Sequence, residues 1–281
     1  MIATSPPGDL LPDTGLLVHP VYLAGRGDTA TVYEALYDTR GWGKATTATG
    51  LMFTSPRQDA QVAYLPESRY GGWKAVQYRG PLGTPLWWAT FSRNTPAEIT
   101  SAFTTALVEG LPSNHRDFLH GGPDLSSPAG ALAERGWQTD DTAMYLYQRS
   151  PDGHAYFALR KGDLDDYMEL EGEGPAQWTM YGCVDHVNGE RWHADFTSAT
   201  PLYLVRKAVL ALSSTEPVER PLSGIPERNL PYVTVSPVGA GTDQRRSAAL
   251  ARTPHASEAG ATPTIAPAAA GVPVSGPSRR R

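Results

Sequence analysis

"WWATFSRNTP" occupies residues 87–96 and "WHADFTSATP" residues 192–201, so a chain of 281 residues writes the same ten-residue pattern twice. Side chains of an extended strand alternate between faces, which groups Trp87, Ala89 and Phe91 on one side and Trp192, Ala194 and Phe196 on the matching side. Both groups are apolar and predict a core-forming strand. The opposite side carries Trp88 and Thr90 in the first copy and His193 and Asp195 in the second. Each motif ends in Thr-Pro, a helix start. Thr95 predicts an N-cap, with Pro96 at the first helical position and Glu98 completing a capping box. Ile99, Phe103, Ala106 and Leu107 then share one helix face, as do Leu204, Ala208, Ala211 and Leu212 in the second copy, where Tyr203 replaces the glutamate.

Outward from the motif the match continues without gaps. At an offset of 95, Arg40-Gly41-Trp42 falls on Arg135-Gly136-Trp137 and Ser55-Pro56 on Ser150-Pro151; at an offset of 105, Trp73 falls on Trp178 and Ala106-Leu107 on Ala211-Leu212. The change of offset places a ten-residue insertion in the second copy at "KGDLDDYMELEGEG". Its carboxylates (Asp163, Asp165, Asp166, Glu169, Glu171, Glu173) lack the order of a calcium loop, and the segment is expected to be a solvated hairpin extension. Each copy also shows a short helix ended by a glycine ("TVYEALYDTRGW", "AGALAERGW") and four strand-like runs, the first two separated by "SPRQD" or "SPDGH". "AGRGD" lacks phosphate-loop spacing and predicts a turn, with Asp28 or Thr29 capping the first helix. "NG" at Asn188-Gly189 predicts a hairpin between the last two strands of the second copy.

The expected fold is therefore α+β: two tandem repeats, each a four-stranded antiparallel meander with a C-terminal helix packed on one face and a short helix before the sheet. The expected boundaries are a disordered N-terminus at 1–13, repeat 1 at 14–110, a linker at 111–127, repeat 2 at 128–215, and an extension with a strand at 216–240. A disordered tail rich in Ala, Pro and Arg follows at 241–281.

Bulk properties narrow the function. The tail carries Arg245, Arg246, Arg252, Arg279, Arg280 and Arg281 against Asp243 and Glu258, a net of +4, which leaves −9 on the rest of a chain whose total is −5. An acidic body counts against unaided binding of polyphosphate. Cys183 is the single cysteine, so neither an intrachain disulfide nor a cysteine cage for zinc can form. No apolar run is long enough to span a membrane and no secretory signal opens the chain, so the expectation is a cytoplasmic protein with no membrane partner.

The paired motifs, the two "RGW" turns, "SPRQD" and "SPDGH", and "VHPVYLAGRGD" resemble a tandem actinobacterial family, the domain of unknown function 317 or SPDY domain, from about residue 17 to about 214. The name-giving motif is altered here to Ser-Pro-Asp-Gly in one copy and Ser-Pro-Arg-Gln in the other. The family is uncharacterised, so the resemblance implies the duplication and no catalytic residue.

Three functional readings compete. The first is a non-enzymatic macromolecule-binding or adaptor protein, with a protein partner and no cofactor or metal. The second is single-stranded nucleic-acid binding on the sheet faces, with Trp88, Tyr78 and Tyr181 stacking on bases and Lys74 and Arg79 meeting phosphates, and His193 beside them. The third, least favoured, is an enzyme using Cys183, His186 and His193, since a hairpin would bring Cys183 opposite the region of His193 while the first copy has neither residue type there.

Overall fold

The computed structural model describes residues 15–37, 41–66, 71–113, 124–162, 164–185 and 191–238. The expectations for the N-terminus at 1–13, for most of the linker, for the Asn188-Gly189 turn, for His186 and for the tail fall outside those residues. The fold is α+β with antiparallel sheets. The first repeat supplies β2 (Gly43–Thr47), β3 (Gly50–Thr54), β4 (Ala60–Leu65), β5 (Gly72–Tyr78) and β6 (Pro85–Ser92). The second supplies β7 (Gln138–Asp141), β8 (Tyr145–Arg149), β9 (Ala155–Arg160), β10 (Trp178–Gly182) and β11 (Trp192–Phe196). These make one ten-stranded sheet in the order β2-β3-β4-β5-β6-β11-β10-β9-β8-β7.

The sheet departs from the expectation in two ways. Each repeat has five strands, not four. The added strands, β2 and β7, are exposed along their whole length and so carry no apolar alternation to read. The sheets of the two repeats are also not separate: β6 pairs with β11, joining Ala89 to Phe196, Thr90 to Asp195 and Phe91 to Ala194. A lone four-stranded sheet would leave β6 as an open apolar edge, and pairing with its own duplicate removes that edge.

The duplicated motif builds this seam. The Ser92 hydroxyl accepts from the His193 amide at 2.9 Å, and Thr95 donates its hydroxyl to the His193 carbonyl at 3.0 Å. In the reverse direction the Thr197 hydroxyl accepts from the Trp88 amide at 3.0 Å, and Thr200 donates to the Trp88 carbonyl at 3.3 Å. Thr95 is therefore not an N-cap. The helix it precedes, α2 (Ala97–Gly110), has Pro96 in the cap position with no side-chain cap bond, and the Ala97 amide finds the Arg26 carbonyl instead. Buried bonds across the seam outcompete the local box.

The closing helices α2 and α5 (Leu202–Leu212) lie against each other on one face of the sheet, with α1 (Ala30–Tyr37) beside α2 and α3 (Ser127–Ala133) beside α5. Trp87, Phe91, Trp192 and Phe196 point into a single core spanning both repeats, as the alternation predicts. Gly41 (φ 92°) and Gly136 (φ 82°) follow α1 and α3 in the left-handed conformation expected of a helix stop. Asp28 Oδ1 accepts from the Ala30 amide, as a cap of α1 should.

A second sheet joins the first and last described segments: β1 (Gly15–His19) lies between β12 (Val218–Pro221) and β13 (Thr234–Pro237). It is tied to the main body by Arg220, only 3% exposed, whose guanidinium grips both carboxylate oxygens of Glu98 at 2.6 and 2.8 Å. Glu98 is thus committed to a long-range ion pair rather than to a capping box.

The insertion is a helix, not a hairpin: α4 (Asp166–Glu171) is capped by the Asp165 side chain and ended by Gly172 at φ 75°. Its acidic run is not simply solvated. Glu169 is buried, accepting from the Gln177 amide at 2.7 Å, the Ser198 amide at 2.8 Å and the Ser198 hydroxyl at 2.5 Å. A carboxylate with that many charge-assisted donors can leave water.

Candidate functional site

The helices α1, α2, α3 and α5 cover one face of the sheet; the other face is the candidate surface. On it, cross-strand registry lines up Arg149, Tyr156, Tyr181 and His193 across β8, β9, β10 and β11. The Tyr156 and Tyr181 rings stack at 4.8 Å and 11°. The Arg149 guanidinium lies over Tyr156 at 5.6 Å, arriving from the strand on the other side. Tyr145 and Tyr147 stack beside them at 5.2 Å on β8. Burial, then the neighbouring Tyr156, pushes the Tyr181 phenol up, so it is a neutral hydrogen-bond donor at ordinary pH.

The same row in the first repeat reads Thr54, Gln61, Val76 and Trp88. It has no ladder of rings, and its aromatic end is covered. Trp88 Nε1 donates to the Glu169 and Leu170 carbonyls of α4 at 3.2 and 3.1 Å, and Lys74 Nζ lies 5.6 Å from its ring centroid. Trp88 is accordingly half-buried under the insertion, not an open base platform. A segment inserted into one repeat has closed the outer face of the other.

Of the residues singled out in the sequence, the structure joins Lys74 to Trp88 and places Tyr181 opposite His193. Burial lowers the Lys74 ammonium and raises the Tyr78 phenol, whose hydroxyl donates to Gln61 at 3.1 Å. Arg79 is exposed in the β5–β6 connection, where its amide bonds to the Thr84 carbonyl. Tyr145, Tyr147, Arg149 and Tyr156 were missed, although the alternation in "YLYQR" already puts Tyr145, Tyr147 and Arg149 on one face.

Of the enzymatic constellation, His186 lies outside the described residues, and Gly182 next to Cys183 pairs with Trp192 next to His193. His193 faces Tyr181, while Cys183 lies beyond the end of β10, buried, with its amide bonded to the His154 carbonyl. Burial raises the Cys183 thiol, opposite to what a nucleophile needs. Asp195 Oδ2 is 3.9 Å from His193 Nε2, and Asp195 Oδ1 accepts from the Thr179 hydroxyl at 2.8 Å; burial outweighs both and raises the Asp195 carboxyl. Among the described residues no group of three or more His, Cys, Asp or Glu side chains could hold a metal ion. No helix among them is long and apolar enough to cross a membrane.

The duplication also produces two matching cavities, where the repeated Ser-Pro turn between two strands meets the tryptophan after "RG" and the end of a closing helix. In the first repeat Trp42, Pro56, Arg57, Val108 and Leu111 line about 250 Å³. In the second, the equivalents Trp137, Pro151, Asp152 and Ser213 line about 320 Å³ together with His19 and Tyr22. The turns themselves are near copies: Ser55 Oγ accepts from the Asp59 and Ala60 amides, and Ser150 Oγ from the His154 and Ala155 amides.

Residues 54–112 and 149–218 each match the model of the SPDY domain, a domain of unknown function (DUF317). The chain thus holds two segments in tandem that match this one domain. No curated protein and no solved structure matches it significantly.

Proposed function

We propose that the chain is a non-enzymatic binding module that docks a protein partner on the helix-free sheet face of its second repeat. The observation that carries this reading is the Arg149, Tyr156, Tyr181, His193 row, flanked by Tyr145 and Tyr147. Tyrosine and arginine supply large contact area with polar tips, and binding energy in protein interfaces concentrates on them. Base stacking asks for open ring faces. Here Tyr156 and Tyr181 spend ring faces on each other, Arg149 lies over Tyr156, and Trp88 lies against α4. What the row offers is ring edges, hydroxyls and one exposed guanidinium, which suit a partner presenting apolar side chains with carboxylates among them.

The test places a photo-crosslinking phenylalanine at Tyr145 in the full chain and, as a control, at Lys207 on the helical face. One dominant cross-linked protein from position 145, absent from position 207 and lost on Arg149→Ala with Tyr156→Ala, is the expected result. A salt-sensitive complex with a labelled single-stranded oligonucleotide that Tyr181→Ala weakens would replace this reading with the nucleic-acid one.

A further inference from the structure

The twin cavities start from the same duplicated residues and have diverged in chemistry. In the first, Arg57 is drawn into its own surroundings, pairing with Asp59 at 3.1 Å and donating to the Leu111 carbonyl at 3.1 Å; Ser55 donates to the same Asp59, and the rest of the wall is apolar. In the second, the position of Arg57 is Asp152 and that of Val108 is Ser213. Asp152 is fully engaged: its Oδ1 accepts from the Ser150 hydroxyl at 2.5 Å and the His154 amide at 3.1 Å, and its Oδ2 from the Tyr22 hydroxyl at 2.8 Å. Tyr22 stands edge-on to Trp137 at 6.1 Å, so this network fixes one wall.

Arg135 is held differently. Its Nη1 donates to the Leu210 carbonyl and the Ser213 hydroxyl, both at 2.8 Å, which orients the guanidinium at the cavity while Nη2 and Nε have no partner among the described residues. His19 lines the same cavity, and its Nδ1 is buried without a hydrogen-bond partner among them. Buried polar atoms are nearly always paired, and an orphan beside an oriented, half-used guanidinium marks room for a polar ligand. A guanidinium edge with two free donors matches a carboxylate. The Asp152 charge in the same lining disfavours a dianion such as phosphate, and the Trp137, Pro20 and Pro151 surfaces accept an apolar body.

We propose that this cavity binds a small organic monocarboxylate: Arg135 takes the carboxylate, His19 Nδ1 takes one hydrogen-bonding group of the ligand, and Trp137 packs against its apolar part. The site is separate from the sheet face and stands or falls independently of it.

Hippurate has all three features, benzoate lacks the middle one, benzamide lacks the charge, and phenyl phosphate exchanges it for a dianion. Titration of the full chain by ligand-observed NMR should give saturable binding of hippurate, with benzoate weaker and benzamide and phenyl phosphate at least about tenfold weaker. Arg135→Gln should reduce hippurate affinity at least about tenfold and His19→Leu severalfold, while Arg57→Gln, in the first-repeat cavity, changes nothing. Circular dichroism verifies that each variant folds. Should Arg135→Gln fail to fold, His19→Leu and the benzamide comparison decide. No saturable binding of hippurate or benzoate, equal binding of benzamide, or undiminished binding by a folded Arg135→Gln or His19→Leu chain overturns the proposal.

Discussion

Trp88 and His193 occupy equivalent places in the two repeats, and the backbone of each is bound by hydroxyls of the other repeat: Thr197 and Thr200 hold Trp88, and Ser92 and Thr95 hold His193. The duplicated motif thus serves as its own complement. A single copy would expose both the β6 edge and the hydroxyls meant to pair with a second copy, so the two repeats fold as one body with one core.

That gives a stability prediction. Phe91 and Phe196 meet edge-on at 5.6 Å across the seam and both touch Phe103, at 5.2 and 5.7 Å. Phe91→Ala or Phe196→Ala should each cost about 3 to 5 kcal/mol, and the double variant less than the sum, because the two rings share a contact. Thr200→Val should cost about 1 kcal/mol, the worth of a hydrogen bond. Urea unfolding followed by tryptophan fluorescence and by far-ultraviolet circular dichroism should give coincident transitions. Two separate transitions would contradict a common core.

The insertion helix is a strap over the first repeat, latched by Glu169. Glu169→Ala removes the acceptor for the Gln177 and Ser198 amides and should release α4 from Trp88 while the sheet persists. Hydrogen exchange of residues 166–172 should quicken at least about tenfold, with the amides of β5 and β6 unchanged. Equal protection in the variant would mean that Trp88, not Glu169, is the anchor.

What the sequence reveals of this fold follows the range of the forces involved. The alternation in "WWATFS" and "WHADFT", the helical stripe from Ile99 to Leu107 and the turn glycines are local signals, and they agree with the structure. The exposed strands β2 and β7 have no apolar pattern, and the β6–β11 pairing depends on partners about a hundred residues apart. Thr95 and Glu98 fit a capping box and are taken by His193 and Arg220. The α4 helix was readable, since Asp165 and Gly172 bracket it as cap and stop, but its acidity suggested solvent until Ser198 and Gln177 appeared around Glu169. The tyrosine row needed the strand register. The cavities needed the meeting of turn, tryptophan and helix end.

Cys183 gives a direct check on the enzymatic reading. The thiol is 2% exposed and burial raises its pKa, so little thiolate forms and little reagent reaches it. Iodoacetamide at about pH 8 should alkylate the native chain at least about tenfold more slowly than the urea-unfolded chain. Rapid native alkylation would restore the thiol as a candidate nucleophile.

Asp195 carries the pH prediction. Burial raises its carboxyl in the folded state, more than the Thr179 hydrogen bond and the nearby His193 lower it. A raised carboxyl pKa means that the folded chain binds this proton more tightly than the unfolded chain does. The charged form therefore destabilises the fold at neutral pH, and that penalty is relieved as pH falls through the folded pKa toward the ordinary value of 3.8. Asp195→Asn keeps a Thr179 acceptor without the charge. The variant should be more stable than the natural chain near pH 7, and its advantage should shrink steadily toward about pH 4. Urea midpoints measured across that range at constant ionic strength read the difference directly. An advantage that grows on acidification would show that the carboxylate is stabilised by His193, and that the imidazole, not burial, sets the charge on this face.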